Sequence, residues 1–223
     1  MSAGVAYRVV AIDGPAASGK STVAQLVAKR IHFDYLNSGA MYRAVTWHVL
    51  RKTISPDDAP AIVRLLETTR IDCEHGIDGA RILINGVDPE IHLRDDQVNE
   101  NVSIVSKIPR VRELLVARMR AYASQRDVVI EGRDIGSIVF PNTPHKYYID
   151  ASPQIRLQRR MAQGQRDEIA ARDRADSSRE IAPLLIAPDA FVIDSSDLTI
   201  DEVVGRVVAQ LENQGLQVSP IVA

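Results

Sequence analysis

The chain opens on an apolar run, Tyr7 to Ile12, that stops at Asp13-Gly14. Near-continuous apolarity over so few residues predicts a strand buried on both faces, not one with a wet side. Further short apolar runs near 33–36, 127–131, 146–150 and 190–194 repeat the signal. Between them the period lengthens to that of helices. Ser21 to Ile31 puts Val23, Leu26, Val27 and Ala28 on one side, and a helix beginning near Ser38, its expected cap, recurs at Met41, Val45, His48 and Val49. Helices are also predicted over 61–69, 98–108, 110–124, an Arg-dense stretch at 155–179, and 200–213, where Val203, Val204, Val207, Val208 and Leu211 form the apolar side. From Arg70 to Ile91 the pattern alternates instead, cut by Gly76, Gly79, Gly86 and Pro89, which reads as a small inserted antiparallel meander.

Strands alternating with helices predict an α/β fold of three layers: a five-stranded parallel sheet wrapped on both faces. In such sheets ligands bind beyond the carboxyl ends of the strands. The chemically rich stretches of this chain all follow strands.

Composition narrows the class. Over 223 residues, 45% are hydrophobic and 25% charged, the balance of a globular chain with a sizeable core. The net charge of −2 points to neither a nucleic acid nor a membrane surface as partner. Arg outnumbers Lys by 22 to 5, which favours planar, bidentate anion ligands. A lone cysteine, Cys73, gives no disulfide framework or thiol metal cluster and suits a reducing, cytoplasmic setting. The five His are scattered without metal-ligand spacing, and the first apolar run is a core strand, not a signal peptide.

The sharpest chemical signal is Gly14-Pro15-Ala16-Ala17-Ser18-Gly19-Lys20-Ser21, followed by Thr22. It has the phosphate-loop spacing, a strand before it and a helix after it. Small residues let backbone N–H groups curl round phosphates, and the helix N-terminus adds positive potential. Lys20 is expected to reach the β- and γ-phosphates, and Ser21 to ligate Mg²⁺. The loop leaves switch, motor or transferase open. No Asn is followed by Lys, so a GTPase base-reading motif is missing, and the nearest metal-binding strand of a motor ATPase, "VVIEGRD", runs on into Gly132-Arg133-Asp134. Arg clusters after the strands suggest a second phosphate site, hence transfer to a phosphorylated acceptor.

Several stretches together resemble the bacterial cytidylate kinases: "IDGPAASGKST", "NSGAMYR", "PRVRELL", "EGRDIGSIVFP", "IDAS", "RRM" and "RDRADSSREIAPL", in this order and almost end to end. The resemblance implies ATP-dependent phosphorylation of CMP and dCMP in pyrimidine nucleotide metabolism, by a monomer. It also implies roles. Ser38, Tyr42, Arg43, Ser103, Arg112 and Asp134 line the CMP site, with Arg43 and Arg133 on the acceptor phosphate. Arg172 and Asp176 meet the ribose and Arg179 the phosphate, from spacings that share one helical face. Arg156, Arg159 and Arg160 belong to a lid over ATP, Arg156 near adenine and Arg160 on the phosphates. Lys20, Arg133, Arg160 and Arg179 are the expected catalytic residues. The expected organisation is a phosphate-loop core (1–36, 97–151 and 182–223), a nucleoside-monophosphate-binding segment (37–96, with its small sheet near 70–91) and an Arg-rich lid (152–181). Asn37 stands where this family usually has Asp, and the stretch from Arg160 to Arg172 is shorter than the family's.

Cytosine presents an amine donor beside acceptors, so a carboxylate and a guanidinium can read it together. Uracil would leave its carbonyl against Asp134, and an unmatched buried polar group costs about 1–3 kcal/mol. A kinase for another small acceptor (UMP, GMP or shikimate) and a non-catalytic ATP-sensing module stay open at this point.

Overall fold

A computed structural model describes residues 7–162 and 184–216. Its centre is a parallel five-stranded sheet in the order β2-β5-β1-β6-β7, built from β1 (Val9–Asp13), β2 (Asp34–Asn37), β5 (Val128–Gly132), β6 (His145–Asp150) and β7 (Phe191–Asp194). These are the five expected strands, each displaced by no more than two residues at its start. Side chains alternate across the sheet, so neighbours in sequence enter different cores. Val10, Ile12 and Val129 pack with Tyr147 and Ile149 under α1 (Lys20–Ile31) and α7 (Ile200–Asn213), through Val23, Val27, Val203, Val207 and Leu211. Ala11, Val128, Ile130 and Leu36 face the other way. They meet α2 (Ser38–Arg51), α3 (Ala59–Glu67), α4 (Asp96–Val105) and α5 (Pro109–Ala123) through Met41, Val45, Ile62, Val102, Leu115 and Met119. The last helix before the undescribed stretch, α6 (Pro153–Ala162), follows β6.

The helix ends explain their own positions. α7 starts at a capping box in which Thr199 accepts from Glu202 N and Glu202 accepts from Thr199 N. Asn37, not Ser38, caps α2: its Oδ1 accepts from Ala40 N at 2.9 Å, and Ser38 is the first helical residue. An Asn outranks a Ser only slightly as a cap, so pattern alone could not choose between them.

The inserted segment is a two-stranded hairpin of β3 (Ile71–Glu74) and β4 (Arg81–Ile84), in place of a full meander. Its expected third limb is a single bridge, Ile84 to Val87, and a short 3₁₀ turn. Gly86 at φ 78° and Pro89 turn the chain out of the ladder there. The hairpin is tied to the main sheet at its tip. Ala80 N donates to Tyr35 O at 2.7 Å, and a Cβ on Gly79 (φ 129°) would lie 2.7 Å from the Tyr35 ring. Asp34 is the second tie. It accepts from Tyr122 Oη at 2.9 Å and Arg126 at 3.2 Å, and faces His75 at 3.1 Å. Burial pushes its carboxyl up, but these partners outweigh that and hold it below its ordinary range.

Candidate active site

All five strands end at one edge of the sheet, and the loop after β1 sits there. Gly14 carries the tightest backbone approach: a Cβ at this position would lie 2.1 Å from Ile149 O. Only Gly fits. The loop then enters α1 through Gly19, which caps the helix without a side-chain acceptor, and no acidic residue occupies the first turn. The first N–H groups of α1 therefore remain for an external anion.

Ala16, Ala17, Gly19, Lys20, Ser21 and Thr22 line a cleft of about 1030 Å³. The far wall of the same cleft carries Ser38, Tyr42, Arg43, Ser103, Arg112, Arg133 and Asp134, with Arg160 at its rim. Positions as far apart as 16 and 160 thus share one cavity, of a size at the upper end of small-molecule sites. Arg172, Asp176 and Arg179 lie outside the described residues.

On the phosphate side, Lys20 is buried, with Nζ donating to Pro15 O at 3.3 Å and lying 3.8 Å from a Glu131 oxygen. Ser21 Oγ donates to Glu131 Oε1 at 2.7 Å, and Tyr35 Oη approaches the same oxygen at 3.4 Å. Asn37 Nδ2 donates in turn to Tyr35 Oη at 3.4 Å, a bond that a carboxylate could not make. Glu131, only 3% exposed, is a candidate site residue that motif reading passes over. Its signal was present: an acid at the end of a central apolar strand, beside the strand that carries the phosphate loop. Ser21 and Glu131 make a pair of hard oxygen donors of the kind that Mg²⁺ takes alongside phosphate oxygens and water. The donor set fits that ion, and among the described residues no larger His, Cys, Asp or Glu cluster competes for it.

On the opposite wall Arg112 and Asp134 form a buried ion pair, their side chains 5% and 6% exposed. Arg112 also donates to Ser106 O at 3.4 Å and lies over the Tyr42 ring at 5.6 Å. Its neighbour in the motif, Arg110, points to solvent and pairs with Glu113. A spacing of two on a helix separates faces by about 200°, which is why one Arg enters the site and the other does not. Ser38 Oγ donates to Glu131 O at 2.7 Å, so α2 is pinned to the end of β5. Arg43 Nε donates to Asn99 Oδ1 at 3.4 Å, and Arg133 donates to Gly14 O at 2.9 Å, across the gap between the two walls.

The turn carrying Arg133 and Asp134 has its own support. Asp13, 5% exposed, accepts from Ile135 N at 2.8 Å and Gly136 N at 2.7 Å. Burial raises its carboxyl to about 7 against the pull of those two bonds, and the nearby Asp134 charge adds to the rise.

The three lid arginines divide. Arg160 lines the cleft. Arg156, expected near adenine, is 7% exposed and donates to Ala151 O at 3.0 Å and Ala16 O at 3.3 Å. Arg159 donates to Ser18 O at 3.3 Å and to Ser195 O at 2.7 Å. Both grip backbone behind the loop.

With this geometry in view, residues 10–213 match the cytidylate kinase family. The chain belongs to the cytidylate kinase family. It is 44% identical over 209 residues to the cytidylate kinase of Geobacillus sp. (strain WCH70), covering 89% of this chain and 93% of that one. The cytidylate kinase of Desulforamulus reducens is 42% identical over 217 residues, covering 92% and 97%. That of Rhodococcus jostii is 42% identical over 212 residues, covering 89% and 92%. The chain is therefore a phosphotransferase with the phosphate-loop α/β fold of a nucleotide-binding kinase. Membership also decides between the transferase and the switch or motor that the loop alone left open. Among the described residues no helix is long and apolar enough to cross a membrane.

Proposed function

We propose that this enzyme transfers the γ-phosphoryl group of Mg-ATP to CMP and dCMP, giving CDP and dCDP. The observation that carries the reading is the buried Arg112–Asp134 pair in the same cleft as the phosphate loop. A carboxylate and a guanidinium, both desolvated and side by side, match the amine and acceptor edge of cytosine. They mismatch uracil, whose carbonyl would meet Asp134. Guanine also offers donors to a carboxylate, and the assay below separates the two bases.

An oxygen of the acceptor phosphate attacks the γ-phosphorus in line. The bond from that phosphorus to the β-bridging oxygen breaks, and ADP leaves. No enzyme nucleophile enters the path, so the chain contributes position and charge. Arg43, Arg133 and Arg179 hold the acceptor phosphate, while Arg172 and Asp176 meet the ribose. Lys20 and Arg160 bind the donor phosphates and spread the charge that develops in the transition state. Ser21 and Glu131 would hold Mg²⁺, which would neutralise charge on the donor phosphates. Closure of the 37–96 segment and the 152–181 lid over the core excludes water, the competing acceptor. The enzyme works as a cytoplasmic monomer in pyrimidine nucleotide metabolism.

The test is ADP release from Mg-ATP with CMP, dCMP, UMP, GMP, AMP and shikimate offered separately. Release with CMP and dCMP far above the rest supports the reading. Preference for another acceptor sinks the base-pocket assignment, and ATP binding without acceptor-dependent release would make the chain a sensing module. Labelled protein after mixing with γ-labelled ATP alone would sink direct transfer.

A further inference from the structure

Three carbonyls of the phosphate loop accept from arginines, Arg133 from within the cleft and Arg156 and Arg159 from outside its lining. Gly14 O accepts from Arg133 at 2.9 Å, Ala16 O from Arg156 at 3.3 Å, and Ser18 O from Arg159 at 3.3 Å. The third contact is the most elaborated. Ser195, at the end of β7 and 3% exposed, has its hydroxyl 3.0 Å from Ser18 O and 2.8 Å from Asp150 O. Arg159 donates to that hydroxyl at 3.1 Å and to Ser195 O at 2.7 Å. One guanidinium thus joins the loop to the ends of β6 and β7.

The peptide bonds here are all trans, so each carbonyl points opposite to the next N–H. Anchoring Ala16 O and Ser18 O on the outside turns the N–H groups of Ala17 and Gly19 inward, and both residues line the cleft. Ala17 also sits at φ 59°, a left-handed conformation unfavourable to a residue with a Cβ, which surrounding contacts must hold in place. Arg159 is not among the residues that line the cleft.

We propose that Arg159 and Ser195 are positioning residues for the phosphate loop: they fix the Ser18 carbonyl, and thereby present the Gly19 and Ala17 N–H groups to the polyphosphate of the donor, while Arg159 itself does not touch the nucleotide. This rests on the loop being the donor-phosphate site. Pre-organised donors bind charge without the cost of ordering the loop at each turnover.

Amide hydrogen exchange over residues 15–20 of the nucleotide-free protein, and calorimetric Kd values for ATP, inorganic tripolyphosphate and CMP, test the proposal. Arg159→Ala is expected to speed exchange in the loop and to weaken ATP and tripolyphosphate alike by about tenfold, the range of a hydrogen bond to a charged group. Ser195→Ala is expected to move both readouts the same way by about threefold, for one neutral hydrogen bond. The double variant should be no weaker than Arg159→Ala within about twofold, because the two side chains act on one carbonyl. CMP affinity should stay within about twofold, since additivity holds for sites with no shared partner. A loss of ATP affinity in Arg159→Ala with loop exchange unchanged and Ser195→Ala silent would overturn the proposal and make Arg159 a direct nucleotide ligand. Should Arg159→Ala fail to fold, Ser195→Ala decides: faster loop exchange with weaker ATP and tripolyphosphate binding supports the proposal, and no change in either overturns it. Wild-type protein that binds ATP yet does not phosphorylate CMP would refute the assigned acceptor and leave this test standing. Wild-type protein that binds no triphosphate would overturn both.

Discussion

The two walls of the cleft are built on different principles. The donor wall is nine consecutive residues, 14 to 22, in one strand-loop-helix unit. It offers mostly backbone N–H groups, and Arg156 and Arg159, outside the cleft lining, donate to its Ala16 and Ser18 carbonyls. The acceptor wall draws Ser38 and Tyr42 from α2, Ser103 from α4, Arg112 from α5 and Asp134 from the turn after β5. Its chemistry lies in side chains, and its stability comes from the core that joins those helices to one face of the sheet. A wall made of backbone tolerates any acceptor. A wall made of converging side chains can be specific.

The largest effect on turnover should come from the donor wall. Lys20→Ala is expected to lower kcat by about 10²–10³-fold, the loss typical of one transition-state charge donor. CMP affinity should barely change, and near-normal turnover in steady-state kinetics would break the division. On the acceptor wall, Arg112→Leu leaves the Asp134 carboxylate buried without its ion-pair partner. A loss of about 3–5 kcal/mol in stability follows from breaking one side of a buried pair, readable by urea unfolding. The exposed Arg110→Leu, whose partner Glu113 is solvated, should cost under about 0.5 kcal/mol by the same measurement.

Asp134→Asn sharpens the specificity half. It keeps the shape but offers the base an amide, and the ratio of kcat/KM for CMP over UMP should fall by about tenfold or more, at roughly 1–3 kcal/mol per mismatched polar group. An unchanged ratio would move base recognition elsewhere. Glu131→Gln belongs to the junction of the walls. With one hard oxygen replaced by an amide, the Mg²⁺ concentration for half-maximal activity should rise several-fold, on the order of 1 kcal/mol. Ser21 Oγ can still donate to the remaining oxygen, so folding should survive.

A pH dependence tests the support of the Asp134 turn. The Asp13 carboxyl is raised from 3.8 to about 7 by burial, so in that window the folded chain binds a proton that the unfolded chain has lost. Its contribution therefore favours the fold near pH 4 and is lost as pH rises through about 7. Asp34 acts in the opposite sense: its lowered carboxyl favours the fold above its ordinary range and loses that contribution as pH falls. Comparing unfolding free energies of the wild type and Asp13→Asn from pH 5 to 8 isolates the first term. The wild type should gain on the variant as pH falls, and a flat difference would refute it.

Asn37 illustrates how far sequence reading reaches. As a departure from the resembling family it looked like a loss of charge. In the structure it caps α2 through one atom and donates to Tyr35 through another, and so reaches Glu131 at one remove. An aspartate could cap but not donate. Arg156 and Arg159 teach the converse. The family resemblance implied contact with ATP for both, and in the structure their side chains donate to loop carbonyls.

The sequence by itself determined the five strands of the parallel sheet, the described helices that cover it and the phosphate loop. Each is a local pattern: apolar period sets burial, and small residues at fixed spacing set backbone shape. Its resemblance also named the acceptor residues. Only the tertiary structure decided that Glu131 lies against Ser21, that Asp13 supports the Asp134 turn, and that Arg112 is buried while Arg110 is not. Those facts depend on strand order, which sets β5 beside β1, and on which helix face meets the core. A residue 119 positions from Gly14 becomes its hydrogen-bond partner because two strands pair, and strand pairing leaves no mark in the residues between them.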